Sequence, residues 1–192
     1  MPKATQLLRQ DHKKVQGLFT KCEQAKGDEA KKRYAMQAMN ELEVHAEIEE
    51  EIFYPAVEKA IEEGDIVDEA RQEHQQAKSL IEQLRAMPGK DNGSGDNFAA
   101  KFSELVEAVQ HHVQEEEGEM FPKVEDSELD LSELGSEMAD RKKELMQEKG
   151  SQTKQTRSKQ TTKAKAKTKS TRRGKSRSSS ARKSSGKRAR AR

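Results

Sequence analysis

Apolar residues recur every three or four positions along most of the chain, the spacing that turns one face of an α-helix inward. The first such run goes from about Thr5 to Ala25, with Leu8, Val15, Phe19 and Cys22 on one stripe, and ends near Gly27. The second starts near Asp28 and carries Met39, Leu42, Ile52 and Phe53. It is expected to end or kink at Tyr54, because Pro55 has no N–H and its ring collides with the preceding turn. Its pattern resumes weakly to Glu63 and stops at Gly64. The third runs from Asp65 to Met87 along Val67, Ala70, Ala77, Ile81 and Leu84. The stretch 88–97, PGKDNGSGDN, is a predicted loop. The fourth runs from Phe98 to Phe121 along Phe102, Leu105, Val109 and Met120, and is expected to stop at Pro122. A shorter amphipathic helix is predicted from about Ser132 to Lys149.

Each of the four long stripes contains a gap filled by a polar residue. His12 lies between Leu8 and Val15, and His74 between Ala70 and Ala77. On the second stripe the inward positions are His45 and Glu49, and on the fourth His112 and Glu116. The chain thus reads as two similar halves. In each, a helix with a lone inward histidine precedes a helix with His-x-x-x-Glu, and a proline (Pro55, Pro122) stands ten residues after that histidine. A lone inward histidine is more often a hydrogen-bonded core residue than a ligand. Four of them with two carboxylates form a different case. An unpaired buried ion costs several kcal/mol, in a domain stable by only about 5–15 kcal/mol. A metal cluster removes that cost by pairing the charges. Imidazole with carboxylate suits iron, manganese or zinc. Six protein ligands exceed the needs of one tetrahedral zinc, so two ions in the core of a helical bundle fit better.

The segments DHKKV, ELEVHAEIEEEIFYP, EHQQAKSLIEQL and HHVQEEEGEMFP resemble the HHE cation-binding, or hemerythrin-like, family. The likeness covers residues 1–149, including LSELGSEMADRKKEL, which is similar to the family's final helix. It implies an all-α fold, an up-down-up-down four-helix bundle with a short additional C-terminal helix. It also implies a di-iron cofactor, two iron ions with an oxo or hydroxo bridge. The terminal ligands would be His12, His45, His74 and His112, and the bridging carboxylates Glu49 and Glu116. Oxygen-carrying members have a second histidine one turn after the third-helix histidine, where this chain has Lys78. Their last bridging acid stands five residues after its histidine, whereas Glu116 stands four after His112 and Glu117 occupies the fifth position. His111 is out of phase with the stripe, so it is expected at the surface or behind the ligands. The other acids of the runs 49–51 and 115–117 are expected on a solvated face.

Two histidines per iron, one oxygen from each bridging glutamate and one bridging oxygen from solvent fill five positions and leave one open on each ion. That count favours reactivity toward dioxygen, peroxide or nitric oxide over reversible oxygen transport. An oxidoreductase activity stays open, and so does iron buffering.

Charge changes the picture only at the C-terminal end. Residues 1–150 carry 20 Lys and Arg against 35 Asp and Glu, a balance of −15, whereas residues 151–192 carry 17 Lys and Arg and no acid. The segment 150–192 has no Leu, Ile, Val or aromatic residue, so it is expected to be a disordered, basic tail resembling those of linker histones. Such a tail suits sequence-tolerant electrostatic binding of nucleic acid, and a nucleic-acid-binding accessory role without catalysis is a further alternative. Cys22 is the sole cysteine, which excludes an internal disulfide. The N-terminal MPKATQLLRQDH holds no apolar leader and no stretch is apolar enough to cross a membrane. A cytoplasmic protein without membrane insertion is the expectation, with the tail pointing to the nucleoid.

Overall fold

The computed structural model describes residues 2–61, 64–87 and 96–149, and among these residues there are helices and no strand. The folded unit is Met1–Lys149. Most of the predicted loop at 88–97 lies outside the described residues, as does the predicted disorder of the segment 150–192. Helix α1 spans Ala4–Gln24 and α2 spans Asp28–Ile48. The turn between them needs a left-handed residue, supplied by Gly27 at φ 95°. Asp28 and Glu29 then fill the first turn of α2, where acids complement the helix dipole. Helices α3 (Tyr54–Ala60), α4 (Gly64–Ala86), α5 (Asp96–Glu115) and α6 (Phe121–Glu125) follow, and α7 occupies 131–149. In the bundle α1 packs on α2 and α4 packs on α5.

The stop expected at Pro122 is absent, and of the end or kink expected at Tyr54 the end is absent. Neither Pro55 nor Pro122 ends its helix; each is absorbed by a single π-helical turn just before it, Glu49–Phe53 and Glu116–Met120. The Tyr54 N–H donates to the Glu49 carbonyl and the Phe121 N–H to that of Glu116, five residues back in both cases. The wider turn gives the proline ring room that a regular α-helical turn denies it. Helical backbone then continues through α3 and α6.

Two apolar clusters make the core. One gathers Leu8, Ile48, Phe53, Tyr54, Phe121 and Met138; the other gathers Phe19, Met39, Ile81, Leu84, Phe102 and Leu105. Each inward histidine falls at their boundary. His12 has Leu8 of the first cluster on one side and Val15 of the second on the other, and His45 stands likewise between Leu42 and Ile48.

Helix α7 is capped by Asp130, whose Oδ1 accepts the backbone N–H groups of Ser132 and Glu133, both at 3.0 Å. Its residues Leu131, Leu134, Met138 and Leu145 are buried in the first cluster. Full burial of such a side chain is worth on the order of 1.5–3 kcal/mol. Arg141 and Lys149 extend ion pairs from α7 to Glu51 and Glu43, both at 2.7 Å.

Candidate metal centre

All six inward polar residues come together. His12, His45, Glu49, His74, His112 and Glu116 are each at most 6% exposed. Their inner atoms form a closed ring of short contacts. His12 Nε2 faces His45 Nε2 at 3.1 Å, and His74 Nε2 faces His112 Nε2 at 3.2 Å. Glu49 Oε2 joins the two pairs on one side, 3.1 Å from His45 Nε2 and 3.3 Å from His74 Nε2. Glu116 Oε2 joins them on the other, 3.4 Å from His12 Nε2 and 3.5 Å from His112 Nε2. Ligand atoms about 2.1 Å from one ion and at right angles stand about 3.0 Å apart, so the spacing suits donors that share ions. Two sets could each hold one: His12, His45, Glu49 and Glu116, and Glu49, His74 and His112.

Outward from the ring, each imidazole Nδ1 faces a carboxylate from a neighbouring helix or π turn. Glu117 stands 2.7 Å from His12, Glu50 3.0 Å from His74 and Glu73 3.0 Å from His112; Asp11 stands 3.7 Å from His45. At His12, His74 and His112 the hydrogen-bonded acid keeps the proton on Nδ1 and leaves the Nε2 lone pair pointing inward, whereas His45 Nδ1 makes no hydrogen bond. Glu50 is pulled down to about 2, first by its hydrogen bond from His74 and then by Lys78, whose Nζ lies 2.6 and 2.7 Å from its oxygens. Burial raises Asp11, but His45 and Lys142 outweigh it and hold the acid down. Burial pushes His45 down to about 4, which keeps it a neutral donor. Burial also pushes Glu49 well up, and the neighbouring Glu116 carboxylate adds to this. Glu116 goes the other way, because the His112 and His12 imidazoles outweigh its burial.

The donor set fits a cation on a direct observation. Glu49 Oε1, Glu49 Oε2 and Glu116 Oε2 are fully buried and accept no hydrogen bond. Orphaned carboxylate oxygens are costly to bury. With protons on Nδ1, facing Nε2 lone pairs at 3.1 and 3.2 Å repel each other. Cations within the ring satisfy both sets of atoms at once. The Hemerythrin HHE cation binding domain family matches residues 3–124. The chain belongs to that family.

Relatives differ from the chain in length. A DNA nickase of Nostoc sp. is 35% identical over 115 residues, 60% of this chain and 31% of that protein. An uncharacterized hemerythrin-like protein of Schizosaccharomyces pombe is 32% identical over 127 residues, 65% of this chain and 61% of the other. The chain therefore spans less than two thirds of either relative. A crystal structure of a hemerythrin HHE cation binding domain-containing protein of Mycobacterium kansasii matches with a TM-score of 0.64 and 26% identity, covering 76% of this chain and 88% of that one.

Three features of this hemerythrin-family site lie beyond the six residues. First, an apolar cavity of about 30 Å³ abuts the four imidazoles and is lined by Val15, Leu42, Ala77, Ile81, Val109 and Val113. About 10–15 Å³ suffices for one water, so there is room for a ligand of two heavy atoms. The Lys78 side chain also borders the cavity and is turned to Glu50. Second, Tyr54 is fully buried and its hydroxyl donates to Glu116 Oε1 at 3.0 Å, with His74 Nε2 at 3.3 Å. Burial, with the charges of Glu116 and Glu49, pushes this phenol well above its ordinary range and keeps it a donor. Third, the acidic runs are not all solvated surface. Glu50 and Glu117 back histidines, whereas Glu51 binds Arg141 and Glu115 lies 3.5 Å from His111. His111 is exposed and pairs with the other oxygen of Glu73 at 2.7 Å. The backing acids carry a sequence signal: Asp11 and Glu73 immediately precede a lone histidine, and Glu50 and Glu117 immediately follow a ring glutamate. One residue turns about 100° around a helix, which points each acid at the neighbouring helix.

Proposed function

We propose that the ring holds two iron ions shared by Glu49 and Glu116, in the up-down-up-down bundle expected of the family, with His12 and His45 on one ion and His74 and His112 on the other. The observation that carries this is the closed ring of inner atoms at 3.1–3.5 Å, with three buried carboxylate oxygens left for cations. Such a pair of ions supplies binding and redox chemistry toward dioxygen, peroxide or nitric oxide. The chain's own part is positional. Hydrogen-bonded acids at Nδ1 fix His12, His74 and His112, Asp11 faces His45, the apolar cavity admits a two-atom ligand, and Tyr54 holds a proton beside the ring. Lys78 takes the place of a fifth histidine, and its side chain is turned to Glu50. This leaves an open position on each ion and favours turnover of peroxide or oxygen over reversible transport. Protein purified without added iron is expected to hold close to two irons per chain and to consume hydrogen peroxide. A His45→Ala, His112→Ala double variant is expected to lose both properties. Fully reversible oxygen binding with no peroxide consumption would sink the reading of reactivity, and a metal content far below two would sink that of the site.

The basic segment is the ground for a second element of the proposal, that 151–192 attaches the domain to nucleic acid in the cytoplasm, at the nucleoid. Its 17 Lys and Arg with no acid support this. The name of the Nostoc DNA nickase belongs to a protein of which this chain covers 31%. In a gel-shift assay the full chain is expected to bind duplex DNA of any sequence, with affinity falling at least tenfold between 50 and 200 mM salt, as about ten-to-the-third or more is lost for 6–10 phosphate contacts. Deletion of 151–192 is expected to abolish binding, and DNA affinity that survives the deletion assigns it to the bundle instead.

A further inference from the structure

The two halves of the chain place ring residues and backing acids at matching positions, and Tyr54 breaks the chemical match. Counting from each ring glutamate, Tyr54 stands five residues after Glu49 and Phe121 five residues after Glu116, each followed by a proline. Both side chains leave the end of a π turn and both pack on the lone histidine of another helix. Phe121 stacks on His12 at 5.9 Å with the rings 4° from parallel, and Tyr54 lies on His74 at 5.5 Å. The only chemical difference is one hydroxyl. It reaches Glu116 Oε1, whereas the corresponding oxygen of the other half, Glu49 Oε1, is buried and has no donor.

We infer that Tyr54 is a positioning residue that makes the two metal positions unequal by occupying Glu116 Oε1. The inference rests on the two-ion reading above. With Oε1 engaged, Glu116 offers the ions Oε2 alone, while both oxygens of Glu49 stay free. The candidate donor sets are unequal in the same sense: one is His12, His45, Glu49 and Glu116, the other Glu49, His74 and His112, although Glu116 Oε2 lies 3.4 Å from His12 Nε2 and 3.5 Å from His112 Nε2. In these sets the first position has four protein donors and the second three, and Glu116 is shared with the second only through the Oε2 that it already offers the first. The position at His12 and His45 fills first and holds tighter. The position at His74 and His112 is the weaker, more exchangeable one, and the Tyr54 hydroxyl stands on its side of the ring, 3.3 Å from His74 Nε2. A ligand bound there meets a hydrogen-bond donor that its counterpart at the other ion lacks.

The test is calorimetric titration of the chelator-stripped full chain with Co2+, for the parent and for Tyr54→Phe. The parent is expected to take up two ions in two resolved steps whose affinities differ by roughly tenfold or more, the scale of a hydrogen bond to a charged acceptor. Tyr54→Phe keeps the ring and the packing and frees Glu116 Oε1, so its two steps are expected to converge and the second to tighten. A purely structural role for Tyr54 would move thermal stability and leave the ratio of the two affinities unchanged. The same ratio in both proteins therefore overturns the inference while leaving the two-ion site intact. Uptake of a single ion by parent and variant alike overturns the two-ion reading and the inference with it. A visible phenolate-to-iron charge-transfer band in the ferric parent, lost in Tyr54→Phe, would mean that the phenol oxygen binds the ion itself and overturns the hydrogen-bonding role.

Discussion

Glu49→Leu is expected to abolish uptake of both ions and, in the same molecule, to stabilise the chelator-treated protein. Glu49 is the one residue common to both candidate donor sets. Its loss leaves three donors at one position and two at the other, and it removes the link between them. His74→Ala is by contrast expected to cost chiefly one ion. Metal content by mass spectrometry after exhaustive dialysis against the ion and then buffer separates the two outcomes. The stability effect follows from the same geometry. Glu49 is fully buried, burial raises its pKa, and neither of its oxygens accepts a hydrogen bond. A leucine has similar bulk and no orphaned polar atom. Replacing buried ionic groups by apolar ones of like volume is neutral or stabilising by about 1–4 kcal/mol, and relief of an unsatisfied group is worth about 1–3 kcal/mol. In a domain of this size each kcal/mol moves the midpoint by about 2–4 °C. A rise of several degrees in chelator is therefore expected, measured by circular dichroism, with the order reversed once metal is added to the parent. A fall in chelator would mean that the ring is satisfied without cations.

The six ring residues were legible because they interrupt apolar stripes at helical spacing, and the structure brings all six together. The ion number and the metal roles remain the proposal stated above. Tyr54 was not legible for a definite reason. On a regular α-helix the fifth residue after Glu49 lies about 140° from it, so the stripe points to Ile52 and Phe53 and turns Tyr54 away. The π turn adds a residue and shifts the phase, and Phe53 and Tyr54 are buried while Ile52 is only partly so. Phe121 moves inward after Glu116 in the same way. The cue was present in Pro55, which read as an end or a kink, and in Pro122, which read as an end. A proline that follows an inward acid by six residues, twice in one chain, marks a bulge as well as a stop. Such bulges gather at functional sites. The backing acids escaped for another reason. Amphipathic reading sorts residues into inward and outward, and Asp11, Glu50, Glu73 and Glu117 stand between these classes, at the seams where one helix meets the next.

Helix α7 lies outside the ring, yet one substitution on it is expected to reach the site. Gly135→Ala should cost about 1–3 kcal/mol, the usual scale of overpacking. Helix propensity argues the other way, since alanine in place of glycine in a helix is worth about 1 kcal/mol. Contact decides the sign. A Cβ at Gly135 would fall inside the van der Waals envelope of the Pro2 carbonyl oxygen and 2.7 Å from the Ala4 amide nitrogen. Both are backbone atoms at the start of α1, where Ala4 is fully buried, and no side-chain rotation relieves the overlap. Helix α7 must shift away from α1, and Lys142 moves with it. Lys142 binds Asp11, the acid that faces His45 Nδ1. Loosening this contact frees Asp11 and thereby the orientation of one ring imidazole, and support groups of this kind are worth about 10–100-fold in metal affinity. The expected result is a lower urea midpoint together with weaker binding at the His12–His45 position, while Glu137→Ala, on the exposed face of the same helix, changes neither. A Gly135→Ala protein as stable as its parent would show that α7 does not press on the first turn of α1, and the route from α7 to His45 would then rest on Lys142 alone.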